Sequence, residues 1–214
     1  FDIFESTNSA LGTSASLADS WVTTPALGIT TDTLTIVAWI NPNTLVNNAG
    51  IVFARNGQPA TGLNLNGSGN LGYHWMDTNS TYGWNTGITP PVGQWSMVAI
   101  SVAPTQAVAY LINANGIQTA TNNVTHAPRQ FTDTLRIGGD PIDVARTFDG
   151  AIDEVAIFGT ALSGEQIQAL YNGEVSAGPA QLEITRSAGQ ITITWTQGGT
   201  PQSTSALQGA ATVW

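Results

Sequence analysis

Apolar and polar residues alternate along most of this chain, and turn-forming residues interrupt the alternation at short intervals. This pattern predicts an all-β protein, because successive side chains of a strand point to opposite faces of a sheet. Residues 1–33 are polar and irregular apart from one short strand expected at 20–24. Further strands are expected at 34–41, 50–54, 62–66, 70–76, 94–103, 107–113, 134–138 and 150–158. The longest stretch without strand character is 77–91, and loops of that length are commonly functional.

The segment Phe148–Gly173 predicts a strand, a turn and a capped helix in direct succession. The apolar positions of its strand are Ile152, Val155 and Ile157. Ser163 and Gln166 have the spacing of a capping box, in which each side chain bonds the other residue's backbone N–H at a helix start. The helix that follows carries one apolar stripe, formed by Ile167, Leu170 and Tyr171.

A change of composition at 173–179 separates a C-terminal piece from the preceding domain, which is expected to span residues 1–175. Within residues 179–214, apolar alternation on both sides of a turn predicts a β-hairpin. A hairpin of this size holds no core of its own. Three arrangements stay open: the hairpin packs on the preceding domain, begins a following module that is truncated here, or adds a strand to another chain.

Charged residues make up only 9% of the 214 residues, and the formal net charge is −9. The five basic residues are all arginines scattered through the sequence, which excludes the clustered cations that nucleic-acid binding needs. No apolar run approaches the ~20 residues of a membrane-spanning helix. The chain has no cysteine, so it has neither disulfides nor thiolate chemistry. Hydroxyl and amide side chains supply the polar surface instead, which suits a secreted or cell-surface protein.

Five segments, taken in order, carry a resemblance to a known family. They are Leu34–Pro42 (LTIVAWINP), Gly93–Val102 (GQWSMVAISV), Ala109–Asn113 (AYLIN), Thr134–Gly139 (TLRIGG) and Phe148–Gly173. Over about residues 20–173 the chain resembles the laminin-G-like jelly-roll domains, which belong to the lectin and glucanase β-sandwiches. The resemblance implies a two-sheet antiparallel jelly-roll sandwich with one short C-terminal helix, to which the C-terminal hairpin is appended.

Five of the fourteen acidic residues fall within one short stretch, and carboxylate oxygens are ligands that Ca²⁺ prefers. They are Asp140, Asp143, Asp149, Asp153 and Glu154. The resemblance implies that Asp153 helps to bind a structural calcium near the N-terminal segment, where Asp2 and Glu5 are candidate ligands. The alternative is that Asp153 pairs with an arginine or caps a turn while the other acids are solvated.

The same carboxylates lack the arrangement of a glycoside hydrolase, which needs two of them facing one substrate. Asp153 and Glu154 are adjacent on the predicted strand, so their side chains point to opposite faces. The two histidines, His74 and His126, are far apart in sequence, and His126 is expected to be exposed in a polar loop. The motifs of serine hydrolases, two-histidine zinc sites and phosphate-binding loops are absent. The sequence therefore predicts that the protein is not an enzyme.

Aromatic and polar residues cluster around the longest loop, where they offer the ring faces and hydrogen-bonding groups that a sugar needs. The predicted ligand-binding residues are Trp84, His74, Asp77, Tyr82, Trp75 and Arg55, with Arg146 as a further donor at the rim. Alternation puts Tyr73, Trp75 and Asp77 on one side of the sheet, and His74 on the other. The alternative is that Tyr73 and Trp75 belong to the core and that Trp84 covers the sandwich edge.

Together these features predict a non-catalytic, extracellular carbohydrate-binding module whose partner is a glycan or polysaccharide, with calcium as a candidate structural ion. An alternative is a structural or adhesion subunit of a bacterial surface assembly, which binds protein partners or copies of itself through its C-terminal strands. Glycoside hydrolysis is a third function found on this fold, but the carboxylate pair that it needs is missing.

Overall fold

A computed structural model of the chain describes residues 15–17, 21–55, 59–173, 182–187 and 190–195. It divides the chain into two compact units, Phe1–Tyr171 and Asn172–Trp214. The first unit is built mainly from antiparallel strands, and the second contains a β-hairpin. Within the described ranges, no helix is both long enough and apolar enough to cross a membrane.

The elements of the first unit follow one another in this order along the chain. The first strands are β1 (Ala15–Leu17), β2 (Val22–Thr24), β3 (Thr30–Thr31), β4 (Leu34–Pro42), β5 (Gly50–Ala54), β6 (Thr61–Leu65) and β7 (Leu71–His74). The short helix α1 (Asn79–Tyr82) comes next. The later elements are β8 (Ser96–Ala103), β9 (Gln106–Asn113), β10 (Gly116–Asn122), β11 (Arg129–Gln130), β12 (Leu135–Ile137), the 3₁₀ turn Val144–Arg146, β13 (Gly150–Phe158) and α2 (Gly164–Tyr171).

Two antiparallel sheets face each other across one apolar core. The six-stranded sheet has the order β1–β13–β4–β8–β9–β10, and the five-stranded sheet has the order β2–β12–β5–β6–β7. β3 and β11 form a separate two-stranded ladder. Alternate side chains of both sheets meet in the core, and its fully buried members include Ile40, Ile51, Leu63, Leu71 and Ile100. This arrangement confirms the predicted all-β, two-sheet antiparallel jelly-roll sandwich.

The helix α2 covers the outer face of the six-stranded sheet, as a single apolar stripe requires. Ile167 is fully buried there. Its apolar neighbours in this second cluster are Val37, Met97, Ala99, Tyr110 and Ile112. The predicted capping box is confirmed, because the Ser163 N–H donates to Gln166 Oε1 (2.9 Å) and the Gln166 N–H donates to Ser163 Oγ (3.3 Å). The Trp39 and Tyr171 rings stack at 5.3 Å between centroids, which holds the end of the helix on the sheet.

β13 contains a bulge that explains the unequal spacing of its apolar residues. Between Asp153 and Ala156, β13 has one residue more than the facing part of β4. Glu154 takes a left-handed φ of 48°, which absorbs the extra residue. The apolar side chains that face the main core are consequently Ile152, Val155 and Ile157.

The short strands β1, β3 and β11 were not predicted. Two further differences between the predicted and the observed strands have local reasons. β10 was not expected, because most of its residues are exposed at the edge of the six-stranded sheet and show no apolar alternation. The strand expected at 70–76 ends at His74. It ends there because Met76 and Asp77 take left-handed φ values of 51° and 48°, which turn the chain out of the sheet.

The expectation that His126 is exposed is wrong, since its ring is buried. Its Nδ1–H donates to the Ala103 carbonyl oxygen (2.7 Å), so Nε2 accepts a hydrogen bond from the Tyr73 hydroxyl (2.9 Å). The Tyr73 oxygen in turn accepts one from the Asn122 side-chain amide (3.1 Å). Burial lowers the pKa of His126 and raises the pKa of Tyr73. Both side chains are therefore neutral at pH 7 and satisfy each other inside the sandwich.

The second unit contains the predicted hairpin. β14 (Leu182–Ser187) pairs antiparallel with β15 (Gln190–Trp195) along its whole length, from Leu182 opposite Trp195 to Ser187 opposite Gln190. The residues on either side of the hairpin lie outside the described part of the chain. The expected domain limits of 1–175 and 179–214 therefore stay a prediction.

Candidate functional site

The outer face of the five-stranded sheet, which points away from the core, carries a row of neighbouring residues. Arg136 of β12 lies opposite Phe53 of β5. Phe53 lies opposite Gly62 of β6, and Gly62 lies opposite His74 of β7. Because Gly62 has no side chain, the Phe53 and His74 rings meet over β6, edge to face, with centroids 5.0 Å apart. A Cβ at Gly62 would lie 2.8 Å from Phe53 Cδ2 and 2.3 Å from the Val52 carbonyl oxygen, so this row requires glycine.

Beside this row lies a group of charged and polar side chains, called here the polar cluster. It consists of Arg55, His74, Asp77, Asp140 and Arg146. Arg55 Nε lies 3.0 Å from Asp140 Oδ1, and Arg55 Nη1 lies 3.5 Å from Asp77 Oδ2. Arg146 Nη1 lies 3.1 Å from Asp140 Oδ2, and His74 Nδ1 lies 2.9 Å from Asp77 Oδ1. The cluster therefore joins the end of β5, the turn after β7 and the loop after β12.

The turn after β7 decides which side of the sheet Asp77 faces. The left-handed backbone at Met76 and Asp77 breaks the alternation of the strand, and the Asp77 N–H donates to the Ala60 carbonyl oxygen (3.1 Å). As a result the Asp77 carboxylate joins His74 on the outer face. The expectation that Asp77 shares a side with Trp75 is wrong for this reason.

The loop after β12 folds back on itself and holds Asp140 and Arg146 together. The Asp140 N–H donates to the Arg146 carbonyl oxygen (3.2 Å), and the Ile142 N–H donates to Asp140 Oδ1 (3.2 Å). Asp143 caps the 3₁₀ turn by accepting the Ala145 N–H (2.9 Å). These bonds fix the carboxylate of Asp140 below the Arg55 guanidinium before any ligand arrives.

The charges of the polar cluster balance one another. Two guanidinium groups face two carboxylates, and the side chains of Arg55 and Asp140 are almost fully buried. The Arg55 Nε–H is not aligned for a hydrogen bond, so its short contact with Asp140 is an ion pair. Such a pair is stable in the interior only because each charge has an opposite charge beside it.

The titration of His74 and Asp77 follows from this burial. Burial lowers the pKa of His74, although the hydrogen bond to Asp77 opposes the change. Burial by itself raises the pKa of Asp77, but the His74 hydrogen bond and the Arg55 charge outweigh it and hold that pKa below its ordinary value of 3.8. At pH 7 a neutral His74 thus donates Nδ1–H to an ionised Asp77, and its Nε2 is an acceptor.

The exposed rim of the polar cluster contains one aromatic ring. Tyr82 is 46% exposed, and its ring stacks on His74 with centroids 5.5 Å apart and planes 29° apart. Tyr82 ends α1, which is fixed to β7 by Thr81: the Trp75 N–H donates to Thr81 Oγ1 (3.0 Å). The side chains of Arg146 and Asp77 are 34% and 19% exposed, so both reach solvent, and Asp77 lies next to this ring pair through its hydrogen bond with His74.

The structure separates the two predicted tryptophans from the polar cluster. Trp75 is only 2% exposed, and its Nε1–H donates to the Ala127 carbonyl oxygen (2.8 Å). The prediction that Trp75 contacts a ligand is therefore wrong, and Trp75 belongs to the core. Trp84 is half-buried against the core and meets the Tyr73 ring edge to face at 5.7 Å. Both rings therefore lie on the inner side of β7, as the alternative interpretation stated.

Four of the predicted ligand-binding residues come together in space, namely Arg55, His74, Asp77 and Tyr82. Their contact with a ligand stays a prediction. Sequence reasoning missed the role of Asp140, which it counted among candidate calcium ligands and which is in fact the counter-ion of Arg55 and Arg146.

Asp153, the predicted calcium ligand, lies at the bulge of β13. Its side chain is buried, and Oδ1 accepts the backbone N–H of Glu154 (2.9 Å) at the bulge of β13. No group of three or more His, Cys, Asp or Glu within the described ranges is arranged to hold a metal ion. Asp2 and Glu5 lie outside those ranges, so calcium binding stays a prediction.

Comparison with known proteins agrees with the architecture. A laminin G-type family model, described as the concanavalin A-like lectin/glucanases superfamily, matches residues 16–168. The chain belongs to this superfamily. The matched residues include the strands of both sheets from β2 to β13 and every member of the polar cluster, and they confirm the resemblance found in the sequence. No curated protein sequence matches the chain.

Solved structures of the superfamily fold cover most of the chain. Domain 4 of AbnA, a GH43 extracellular arabinanase from Geobacillus stearothermophilus solved with arabinotriose, is 22% identical with a TM-score of 0.62, over 77% of this chain and 79% of that one. The SAP-like pentraxin of Limulus polyphemus is 17% identical with a TM-score of 0.54, over 78% and 79%. The enzymatically active domain of tailspike protein 2 from bacteriophage CBA120 is 14% identical with a TM-score of 0.50, over 80% and 29%. These likenesses show the fold.

Proposed function

We propose that this protein is a non-catalytic, extracellular carbohydrate-binding module that binds a neutral glycan at the polar cluster. The observation that carries the proposal is the exposed Tyr82 ring, which stacks on His74 beside the partly exposed Asp77, in a cluster that also contains the partly exposed Arg146. Membership of a superfamily of lectins and glucanases agrees with a carbohydrate-binding role.

A sugar needs two kinds of contact, and the rim of the polar cluster offers both. The apolar C–H face of a pyranose or furanose ring packs on an aromatic ring such as Tyr82. Its hydroxyls donate to the Asp77 carboxylate and to Nε2 of neutral His74, and accept from the Arg146 guanidinium. Hydrogen bonds to charged groups are the stronger kind, and here they are fixed in place by the buried ion pairs.

The charge balance of the polar cluster favours a neutral glycan over an acidic one. Arg55 forms ion pairs with Asp77 and Asp140, and Arg146 is paired with Asp140. A uronate or sulfated sugar would have to break one of these pairs to find a counter-ion. The net charge of −9 on the chain opposes anionic polysaccharides further.

The same pairs support binding without hydrolysis. Glycoside hydrolysis requires one carboxyl group with a raised pKa, which stays protonated and acts as general acid. The pKa of Asp77, the carboxylate nearer to solvent, lies below its ordinary value. Asp140 is paired with two guanidinium groups, and its side chain is only 2% exposed, so a bound sugar could not reach it directly.

The proposal of an extracellular glycan ligand also has support from a protein of the same fold. Domain 4 of the extracellular arabinanase AbnA was solved with arabinotriose. The low charge and the surface rich in hydroxyl and amide groups are consistent with this environment. Arabinotriose is therefore the first neutral oligosaccharide to test.

Isothermal titration calorimetry with neutral oligosaccharides, arabinotriose among them, and with oligogalacturonate tests the proposal. We expect measurable affinity for at least one neutral series and none for the uronate. Tyr82→Ala should weaken binding about tenfold, which corresponds to about 1.4 kcal/mol and matches the loss of one aromatic contact.

Ile117→Ala is the matched control, because Ile117 is an exposed apolar residue on β10 at the far edge of the other sheet. It should bind like the wild type. Binding by Tyr82→Ala at full strength, or preferential binding of the uronate, would overturn the assignment of the polar cluster as a neutral-glycan site.

A further inference from the structure

The short helix α1 carries Tyr82, the exposed ring at the rim of the polar cluster, but has little stability of its own. It consists of the four residues Asn79–Tyr82, which make about one helical turn. A helix of that length does not persist alone in water, because nucleation costs more than a single turn regains. Within the described part of the chain, the side chain of its N-cap residue, Thr78, makes no capping bond. The position of Tyr82 therefore depends on bonds between α1 and the rest of the sandwich.

The two middle residues of α1 are bonded to the edges of different sheets. β7 is the last strand of the five-stranded sheet, and β10 is the last strand of the six-stranded sheet. Directly after β7, the Trp75 N–H donates to Thr81 Oγ1 (3.0 Å). At the end of β10, the Asn122 side-chain amide donates to the Ser80 carbonyl oxygen (2.8 Å). The helix is thus held from both sheets at once.

A buried chain of hydrogen bonds fixes the orientation of the Asn122 amide. Its nitrogen also donates to the Tyr73 oxygen (3.1 Å), and the Tyr73 O–H donates to Nε2 of His126 (2.9 Å). His126 accepts there because its Nδ1–H donates to the Ala103 carbonyl oxygen (2.7 Å). The Ser80 carbonyl oxygen can only accept, so the nitrogen of the amide is the atom that faces α1. Both N–H groups of this buried amide are therefore used.

We propose that Asn122 is a positioning residue for the ligand site, because it holds α1 in place and thereby keeps the Tyr82 ring stacked on His74. Its effect on binding rests on the proposed function, whereas its effect on the ring pair needs no ligand. Asn122 is buried and belongs to the sheet opposite His74. It acts through Ser80, which lies in the same helical turn as Tyr82, and not by contact with a sugar.

Loss of the Asn122 amide should release α1 without unfolding the sandwich. Asn122 is the last residue of β10, where it lies opposite Ala107 of β9, and six further residue pairs hold these two strands together. One buried hydrogen bond is a small part of the stability of a whole domain, but it is a large part of what holds a single helical turn. Elements with few such contacts open first while the remainder of a protein stays folded.

NMR of Asn122→Leu observes the ring pair without a ligand. Leucine is similar in size to asparagine but cannot donate a hydrogen bond to Ser80. The chain contains only two histidines, so His74→Gln identifies the ring signals of His74. The stacked Tyr82 ring shifts these signals, and Tyr82→Ala gives their position without it. We expect the His74 signals of Asn122→Leu to move most of the way to their position in Tyr82→Ala.

Ser101→Ala is the matched control. Ser101 also makes a 2.8 Å side-chain bond to a backbone carbonyl, that of Leu162, but this bond holds the connection that leads into α2. Its loss should leave the His74 signals where they are in the wild type. Unmoved His74 signals in Asn122→Leu, or equal movement in both variants, would overturn the proposal.

Binding measurements separate this inference from the proposed function. For arabinotriose, or another neutral oligosaccharide that binds the wild type, Asn122→Leu should weaken binding about fivefold, which is within the loss expected for Tyr82→Ala. The double variant Asn122→Leu, Tyr82→Ala should bind as Tyr82→Ala does, because both changes remove the same contact. Losses that multiply would show that Asn122 does not act through Tyr82. If no neutral oligosaccharide bound the wild type, the proposed function would fail, and the His74 signals would still decide the role of Asn122.

Hydrogen exchange in the wild type tests the same idea if Asn122→Leu folds poorly. The N–H groups of Tyr82 and Gly83 donate to the carbonyl oxygens of Thr78 (3.2 Å) and Asn79 (2.9 Å). If α1 is held from both sheets, these two amides should exchange nearly as slowly as the Trp75 amide beside them. Exchange of both at the rate of an open loop would show that Asn122 does not hold the helix.

Discussion

Replacing Arg55 by methionine tests whether buried charge holds the polar cluster together. Methionine has a similar length and no charge, so it removes the cation between Asp77 and Asp140 but keeps an apolar chain over the Phe53 ring. The fold should persist, because Asp140 still has Arg146 at 3.1 Å. The variant therefore isolates the loss of one buried charge.

The expected cost follows from what each carboxylate loses. Removal of one partner from a buried ion pair costs about 3–5 kcal/mol, since the other charge is left without compensation. Asp140 keeps one guanidinium, and Asp77 keeps His74 and partial contact with water. We therefore expect the lower end of the range, a loss of about 3 kcal/mol in the free energy of unfolding at pH 7.

Urea unfolding at pH 7 and pH 4 measures this loss. In Arg55→Met, the carboxylates of Asp77 and Asp140 lose a cation, so their pKa values should rise and acid should protonate them more readily than in the wild type. The difference in the free energy of unfolding between Arg55→Met and the wild type should therefore become smaller as the pH falls. Arg146→Met is the control, because its half-exposed side chain should cost less than about 1 kcal/mol. If Arg55→Met lowered the free energy of unfolding by no more than Arg146→Met does, and by the same amount at pH 7 and pH 4, the buried charge of Arg55 would not be what stabilises the polar cluster.

Gly62→Ala should lower the free energy of unfolding by about 2 kcal/mol, because its Cβ would press on Phe53; a urea midpoint equal to that of the wild type would contradict this packing. Ser163→Ala should cost about 1 kcal/mol in thermal unfolding through loss of a helix cap, whereas Ser163→Asp, which still caps, should cost little. Wild-type stability should fall as the pH drops from 7 towards 5. Burial lowers the pKa of His126 and of His74, so the unfolded chain takes up protons first, near the ordinary value of 6.5. His126→Gln should flatten this pH profile, and an unchanged slope would show that His126 does not contribute.

The closing strand and helix can be predicted from the sequence because their signals are local. Ser163 and Gln166 are three residues apart, and the bonds between them form within one helical turn. The stripe around Ile167 likewise has a period that only a helix satisfies. β4 can be predicted for a related reason, because its apolar run Ile36–Ile40 is too short for a helix and is typical of a strand that is buried on both faces.

The polar cluster can be predicted only in part, because half of it depends on strand order. His74, Asp77 and Tyr82 are close in sequence, so a cluster of them is expected, but the side of the sheet that Asp77 faces depends on the left-handed turn at Met76 and Asp77. Arg55 meets Asp140 because β5 pairs with β12 in the five-stranded sheet. No local pattern specifies that pairing. A group of acidic residues close in sequence is equally compatible with a calcium site and with counter-ions for arginines.

Burial of polar residues is the other feature that local patterns do not specify. His126 sits in a polar stretch, yet a carbonyl and the Tyr73 hydroxyl satisfy both of its ring nitrogens inside the sandwich. The edge strand β10 shows the converse, since backbone pairing with β9 holds it without an apolar face. The burial of His126 and the strand conformation of β10 therefore both depend on partners that are distant in sequence.

The distribution of charged residues indicates that the polar cluster does more than stabilise the fold. Only 9% of residues are charged, yet three of the four ion pairs within the described ranges belong to the polar cluster. Apolar residues of equal volume would stabilise a sandwich as well or better, because buried ion pairs barely repay their desolvation. What the pairs do provide is a rigid set of donors and acceptors, which lowers the conformational entropy that the protein side chains lose when a ligand binds. The buried pairs next to the exposed Tyr82 ring therefore support the proposal that this position serves recognition of a ligand.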